Sequence, residues 1–324
     1  MDKGILRERA KKLPEITDEM WNVVNKDFVL IVDEFLQTKT SQQTKKQYLS
    51  RLKQFGWYIY KSMNNKEYYN ITKRDMMRFV NWLQNDRHLS SSAINLYKSA
   101  ISSLNNYIEL FIVDDDENYK LFRNFVKGLP SVDKTITYGT EPVKEEEFNL
   151  LVETLMSDKN YIALAYIAIL NYSGMRRNAV RQLKSEIINY DSGDNNYIML
   201  HPVKDKGDSS RYNEYMLDKK ALPFIKMWLD NRGYEHEYLF TTKYGNEIEQ
   251  ISETWGNYVH DNILSDIVGR RLTPHLWKHT IVTRLLEQGV DKELVSKFVA
   301  HHKNVNTTSI YDNREFEEER KNIF

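Results

Sequence analysis

The run YIALAYIAILNY at residues 161–172 constrains the fold more than any other stretch. A helix built from it is apolar on nearly every side, so it has no face to offer water. It is far short of the ~20 residues that a bilayer requires, which makes it a helix buried in a globular core. Such a helix needs neighbours all around it, and the second half of the chain must supply them. The chain has 324 residues, and single cores stop growing near roughly 250, so a second core is expected.

That core belongs to the first half, where the apolar period is helical throughout and no strand pattern appears. Residues 1–16 read as a loose lead-in. Thr17 caps a helix running to about Leu36, and Ser41 starts a second, with Tyr48, Leu52, Phe55 and Ile59 on one face. Thr72 with Asp75 is a box-like start for a third. Ser90 starts a fourth, carrying Ile94, Tyr97, Ile101, Leu104 and Ile108, and the acidic run from Asp114 opens a fifth that ends near Lys127. Residues 17–128 are thus expected to form a helical domain. The stretch 129–143, which follows Gly128 and holds Pro130, Gly139 and Pro142, reads as a linker, and 144–324 as the second domain. There, helices at about 144–156, at 161–172 and from Arg176 lead into three expected antiparallel strands at 187–190, 196–203 and 211–217. The fold class is mainly α, with a small antiparallel sheet in the second domain.

Cysteine is absent, which removes disulfides and thiolate chemistry and fits a reducing cytosol. The charged start MDKGILRERAKK has no apolar run behind it, so no secretory leader is expected. Formal net charge is zero, but it is unevenly placed. Between Lys39 and Tyr107 there are twelve basic residues against Glu67, Asp75 and Asp86, an excess of nine. That is the footprint of a phosphate-binding surface. The candidate DNA contacts in it are Lys45, Lys46, Arg51, Lys53, Lys73, Arg74, Arg78 and Lys98.

Chemistry-bearing residues concentrate in the second half. Arg176 follows the buried helix directly, and its planar fork suits two non-bridging phosphate oxygens. Lys204 and Lys206 lie in a turn between strands, where a lysine can reach a groove and give a proton to a leaving oxygen. Thr273 and Pro274 start a helix with His275, Lys278 and His279, with the Thr273 side chain as its cap. Gly289 closes it, and Asp291 caps the next helix, which leads to His301, His302 and finally Tyr311. Four histidines in one stretch also suit zinc, but the glutamate of the HExxH pattern is missing and Lys278 would repel the metal.

In order and spacing these fragments resemble the tyrosine recombinases, the group of phage-lambda-type integrases and Xer-type resolvases. SGMRRNAVRQL at 173–183 resembles the family's TG-x-R-x-x-E-x-x-x-L, LTPHLWKHTIVTRLL its P-H-x-x-R-H box, and VAHHKNVNTTSIY its LGH-(S/K)-x-x-x-T-T-x-x-Y. The resemblance covers about residues 20 to 313 and implies a helical core-binding domain and a mixed catalytic domain closing on DNA as a C-shaped clamp. It implies Tyr311 as a nucleophile that forms a 3′-phosphotyrosyl link. Arg176, Lys278 and His302 would stabilise phosphate charge, and His275 would assist proton removal or brace the phosphate. Lys204, with Lys206 as second choice, would be the general acid. His279 and His301 would be supporting residues. The implied partners are double-stranded DNA with specific sites, a homo-tetramer and accessory DNA-bending proteins, without membrane. No cofactor is implied, since the phosphodiester energy stays in the covalent link. The lead-in is too short for the extra arm-binding domain of lambda-type integrases, which favours the simple two-domain form. Three positions depart from the family: Lys278 for arginine, Ala179 for an acid, and His301 for glycine. Three explanations of Lys278 stay open: a native, compensated residue, an engineered change that slows cleavage, or a degenerate DNA binder. A type IB topoisomerase is a competing reading.

Overall fold

The computed structural model describes residues 13–130, 132, 141–191, 193–204 and 212–301. The chain divides into two compact units, 2–139 and 140–324.

In the first unit the opening helix is broken in two, α1 (Asp18–Asn22) and α2 (Lys26–Gln37). Asn25 ends one and starts the other, because its Oδ1 accepts from Phe28 N at 3.0 Å while its own N–H goes to Asn65 Oδ1. Then follow α3 (Gln42–Ser62), α4 (Lys73–Asn81) and α5 (Ser91–Phe111). The expected caps Ser41 and Ser90 accept from the third residue on, and Thr72 with Asp75 forms a complete capping box. The expected fifth helix is not formed; Asp116 caps a single 3₁₀ turn, Glu117–Tyr119. Tyr119, Phe122 and Phe125 are spaced like a helix face, but they are held by a core built on Tyr68, whose hydroxyl donates to Asn105 Oδ1 at 2.6 Å. Asn124 then makes side-chain bonds to Asn105, Ser102 and Asn106. A buried amide network replaces the helical ladder there.

The second unit is built around α7 (Tyr161–Ser173), of which ten residues are buried. Packed on it are α6 (Glu145–Ser157), the short α8 (Arg177–Arg181), α9 (Leu222–Asn231) and α12 (Pro274–Glu287). Between α9 and α12 lie α10 (Trp255–Val259) and α11 (Ser265–Val268), joined by a π-helical stretch, His260–Leu264. After α12, α13 (Lys292–Leu294) runs into a second π-helical stretch, Val295–Ala300, which ends on His301. Residues 187–190 are not a strand; Ser185–Asn189 is a 3₁₀ turn. The remaining expected strands pair as two short ladders. β1 (Tyr197–Met199) meets β4 (Met216–Asp218), and β2 (Val203–Lys204) meets β3 (Tyr212–Asn213), both antiparallel. A third hairpin, β5 (Thr241–Tyr244) with β6 (Glu247–Gln250), has no counterpart in the sequence reading. Arg270 holds Glu147 through two nitrogens and also donates to the Pro142 carbonyl, which ties the start of this unit to its interior. The pairing keeps the Glu147 carboxyl below the usual carboxylate range.

Candidate functional site

The arginine turn is the first part of the site. Helix α7 ends on Gly174, which takes a left-handed conformation with φ 65°. Ser173 Oγ donates to Ile169 O at 2.6 Å and accepts from Met175 N at 3.2 Å, so the turn is hydrogen-bonded back onto the helix. Half-buried Arg176 then opens α8, its carbonyl accepting from Ala179 N and Val180 N. A Cβ placed on Gly174 would lie 2.6 Å from Ile281 Cγ2 and 3.5 Å from Val299 Cγ1. The arginine turn is therefore seated directly on α12 and on the π-helical stretch.

Helix α12 is the second part. Pro274 starts it as expected, whereas Thr273 makes no side-chain capping bond. His275 is exposed, and Lys278, one turn on, is buried at 5 % exposure. The Lys278 ammonium donates to the carbonyl of Ala300, the last residue of the π-helical stretch. Burial holds the His279 imidazole below its ordinary range, and its Nδ1 lies 3.4 Å from Thr283 Oγ1. Trp277 is fully buried, and its indole N–H donates to His260 Nε2 at 2.8 Å. His260 Nδ1 lies 2.6 Å from the Gly256 carbonyl, a network that fits the neutral ring with its proton on Nδ1.

Burial pushes His260 down to about 4. Its folded value lies below the ordinary ~6.5, so its stability contribution is complete at neutral pH and is lost as pH falls toward the folded value. At pH 5 the expected loss is about 2 kcal/mol. The drop in melting temperature between pH 7.5 and 5 should shrink in His260→Gln, which keeps an acceptor for Trp277; an equal drop would assign the acid sensitivity elsewhere.

His301 closes the π-helical stretch with φ 47°, a conformation that favours glycine. Glycine stands at this place in the family pattern, so the departure has a backbone meaning. The His301 ring packs edge-on against buried Tyr215, with the ring centres 4.4 Å apart.

The hairpin is the third part. Val203 points into the core and Lys204 out of it, with its ammonium 5.9 Å from the centre of the Tyr212 ring. Gln182 meets the backbone of Lys204 with both ends of its side-chain amide. The structure thus links the arginine turn to α12 and the π-helical stretch, α12 to Ala300, and α8 to Lys204. Lys206, His302 and Tyr311 lie outside the described residues. The Gln182 clamp, the seat of Gly174 and the His260–Trp277 bond were not foreseen. Each joins residues far apart in the chain by contacts that have no local signature. Ala179, where the family has an acid, is 1 % exposed among core residues.

In the first unit Lys46, Lys73, Arg74 and Arg78 are exposed, while Lys45, Arg51, Lys53 and Lys98 are half-buried. Lys53 is paired with Asp18 at 2.9 Å, and the Lys98 ammonium is bound to the Pro130 carbonyl at 2.7 Å. Those two charges are partly engaged within the unit, and Lys46, Lys73 and Arg74 are the more available to a ligand. Among the described residues no helix is long and apolar enough to cross a membrane.

Comparison with known proteins agrees with this architecture. Residues 141–318 match the phage integrase family model, and residues 31–109 match a phage integrase N-terminal SAM-like domain. The chain is 46% identical over 329 residues to the SPbeta prophage-derived recombinase-like protein YomM of Bacillus subtilis (strain 168), covering 100% of this chain and 98% of that protein. It is 28% identical over 252 residues to the tyrosine recombinase XerA of Pyrococcus furiosus, covering 76% and 78%. Among solved structures, the Tn1549 transposon integrase in complex with circular intermediate DNA shares the fold, with a TM-score of 0.67 at 17% identity over 92% of this chain and 98% of that one. On the family match over residues 141–318 and the full-length relative, the chain belongs to the phage integrase family, the tyrosine recombinases.

Proposed function

We propose that the protein cuts and rejoins DNA at specific sites through a phosphotyrosyl intermediate, with Tyr311 as nucleophile. The observation that carries this reading is the mutual anchoring of the motif segments: Gly174 beside Arg176 rests on Ile281 and Val299, and Lys278 reaches Ala300, two residues before His302. Residues scattered over more than a hundred positions are thus tied together by buried contacts. Cations so held suit an in-line displacement at phosphorus, where positioning and charge stabilisation supply most of the catalysis. Arg176 and His302 contact the non-bridging oxygens, His275 assists at the tyrosine, and Lys204 protonates the leaving 5′-oxygen. Lys46, Lys73 and Arg74 lead the contacts of the first unit with the DNA backbone, helped by Arg78, which also pairs with Asp75, and by Lys45, Arg51, Lys53 and Lys98. The working assembly is a homo-tetramer on two sites, aided by DNA-bending proteins, in the cytoplasm. A duplex nicked near the cleavage point tests the reading, since it traps a detergent-resistant protein–DNA adduct; no adduct on any attachment-site duplex would overturn it.

One observation favours a slower variant of this chemistry. The Lys278 ammonium is committed to the Ala300 carbonyl, an acceptor at the negative end of its helical stretch, and has no fork to hold two phosphate oxygens. Restoring the fork with Lys278→Arg is expected to raise the rate of adduct formation about 10- to 100-fold, within the range of one charge-stabilising donor. An unchanged or lower rate would identify Lys278 as a compensated native residue.

A further inference from the structure

We propose that Gln182 is a positioning residue that fixes Lys204 for proton donation to the leaving 5′-oxygen. The inference rests on the assignment of Lys204 above and adds the group that sets its place.

Lys204 is the last described residue of β2, and β3 pairs with only one side of that strand. In a strand, the N–H and C=O of one residue point to the same side. On the free side, Lys204 N donates to Gln182 Oε1 at 2.9 Å, and Gln182 Nε2 donates to Lys204 O at 2.9 Å. The side-chain amide therefore does the work of a neighbouring strand. Its Nε2 also donates to Asn178 O at 2.8 Å, so the amide orientation is fixed and its oxygen and nitrogen cannot exchange places. Gln182 terminates α8, the short helix whose first turn is opened by Arg176. One rigid helix thus carries the arginine at its start and the clamp on the lysine at its end. Val203 is anchored in the core beside it, and Leu200 N donates to Tyr215 O at 2.8 Å at the base of the hairpin. Rotating the backbone of Lys204 would break both bonds to Gln182 at once.

The chemistry needs such a link. In cleavage, the Tyr311 hydroxyl gives its proton to the His275 imidazole, its oxygen bonds to phosphorus, and the phosphorus–O5′ bond breaks. O5′ keeps the electron pair and takes a proton from the Lys204 ammonium, leaving a neutral amine. The acid must reach O5′ while Arg176 holds the non-bridging oxygens of the same phosphate, so their separation matters to within about 1 Å.

The test is cleavage of two nicked duplexes that differ in one atom, with oxygen or sulfur at the bridging 5′ position. A thiol has a pKa of ~8.5, so sulfur leaves as a thiolate without an acid. Gln182→Met keeps the length of the side chain and removes both bonds. It is expected to slow cleavage of the oxygen duplex about 10- to 100-fold, to leave the sulfur duplex within about threefold of wild type, and to leave DNA affinity unchanged; Lys204→Ala should slow the oxygen duplex more severely. Equal slowing on both duplexes would make Gln182 merely structural, and full activity on the oxygen duplex would make it dispensable or assign the acid to Lys206; either overturns the proposal. A wild-type protein that cleaves neither duplex would instead overturn the functional reading on which the proposal stands.

Discussion

Tyr311→Phe is expected to abolish the covalent protein–DNA adduct, with a loss of at least about 10⁴-fold, while affinity for the same duplex stays within about twofold. The size follows from the chemistry. Phenylalanine removes the only atom that bonds to phosphorus, and removal of a nucleophile returns the rate to background. In the proposed reading, binding rests on cations facing backbone phosphates, which the substitution leaves in place. A free phenol has a pKa of ~10, so a tyrosine nucleophile at 311 requires a base to take its proton and cations to hold the phosphate. Adduct formation on the nicked duplex, resolved by denaturing electrophoresis, and gel-shift titration of the same samples give the two numbers. Persistence of the adduct would mean that another residue attacks.

The second large effect is structural in origin. Gly174→Ala is expected to destabilise the catalytic unit by about 2–4 kcal/mol, from left-handed backbone strain and a forced displacement in a packed core. The added methyl would meet Ile281 at 2.6 Å, and both partners are held by rigid helices. Thermal unfolding should shift down by about 5–15 °C for a unit of this size. Cleavage measured well below the new midpoint should also fall, because the methyl pushes the turn that carries Arg176 away from α12. A melting temperature within 1–2 °C of wild type would show that the seat is looser than the contacts indicate.

The contrast between Ser41 and Asn25 shows what the sequence makes legible. Ser41, Thr72, Ser90 and Asp291 start helices where a short polar side chain precedes an apolar period, since capping is a local interaction. Asn25 acts in the same way but sits inside a continuous apolar pattern, so its cap interrupts what reads as one helix. Residues 114–127 fail for the opposite reason. Their aromatic spacing is helical, yet the partners that fix them are Tyr68, Asn105 and Ser102, distant in the chain. The site divides in the same manner. Arg176, Lys204, His275 and Lys278 stand out as candidates in the sequence because their spacing matches a family pattern. Gln182 does not, because an amide clamping a strand edge is a tertiary event. Residues 187–190 read as a strand because Ile187, Ile188 and Tyr190 favour one, yet they belong to a 3₁₀ turn of which Ile187 is buried.

The π-helical stretch Val295–Ala300 has a further consequence. An α-helix advances by about 100° per residue, so a π-helical turn holding one extra residue acts as a fixed angular offset on the chain beyond it. Deleting a single residue there would leave the composition nearly untouched. It would swing the Ala300 carbonyl by about a quarter turn and so away from the Lys278 ammonium. The residue count of this stretch, whichever side chains fill it, therefore sets the direction in which the Ala300 carbonyl faces Lys278.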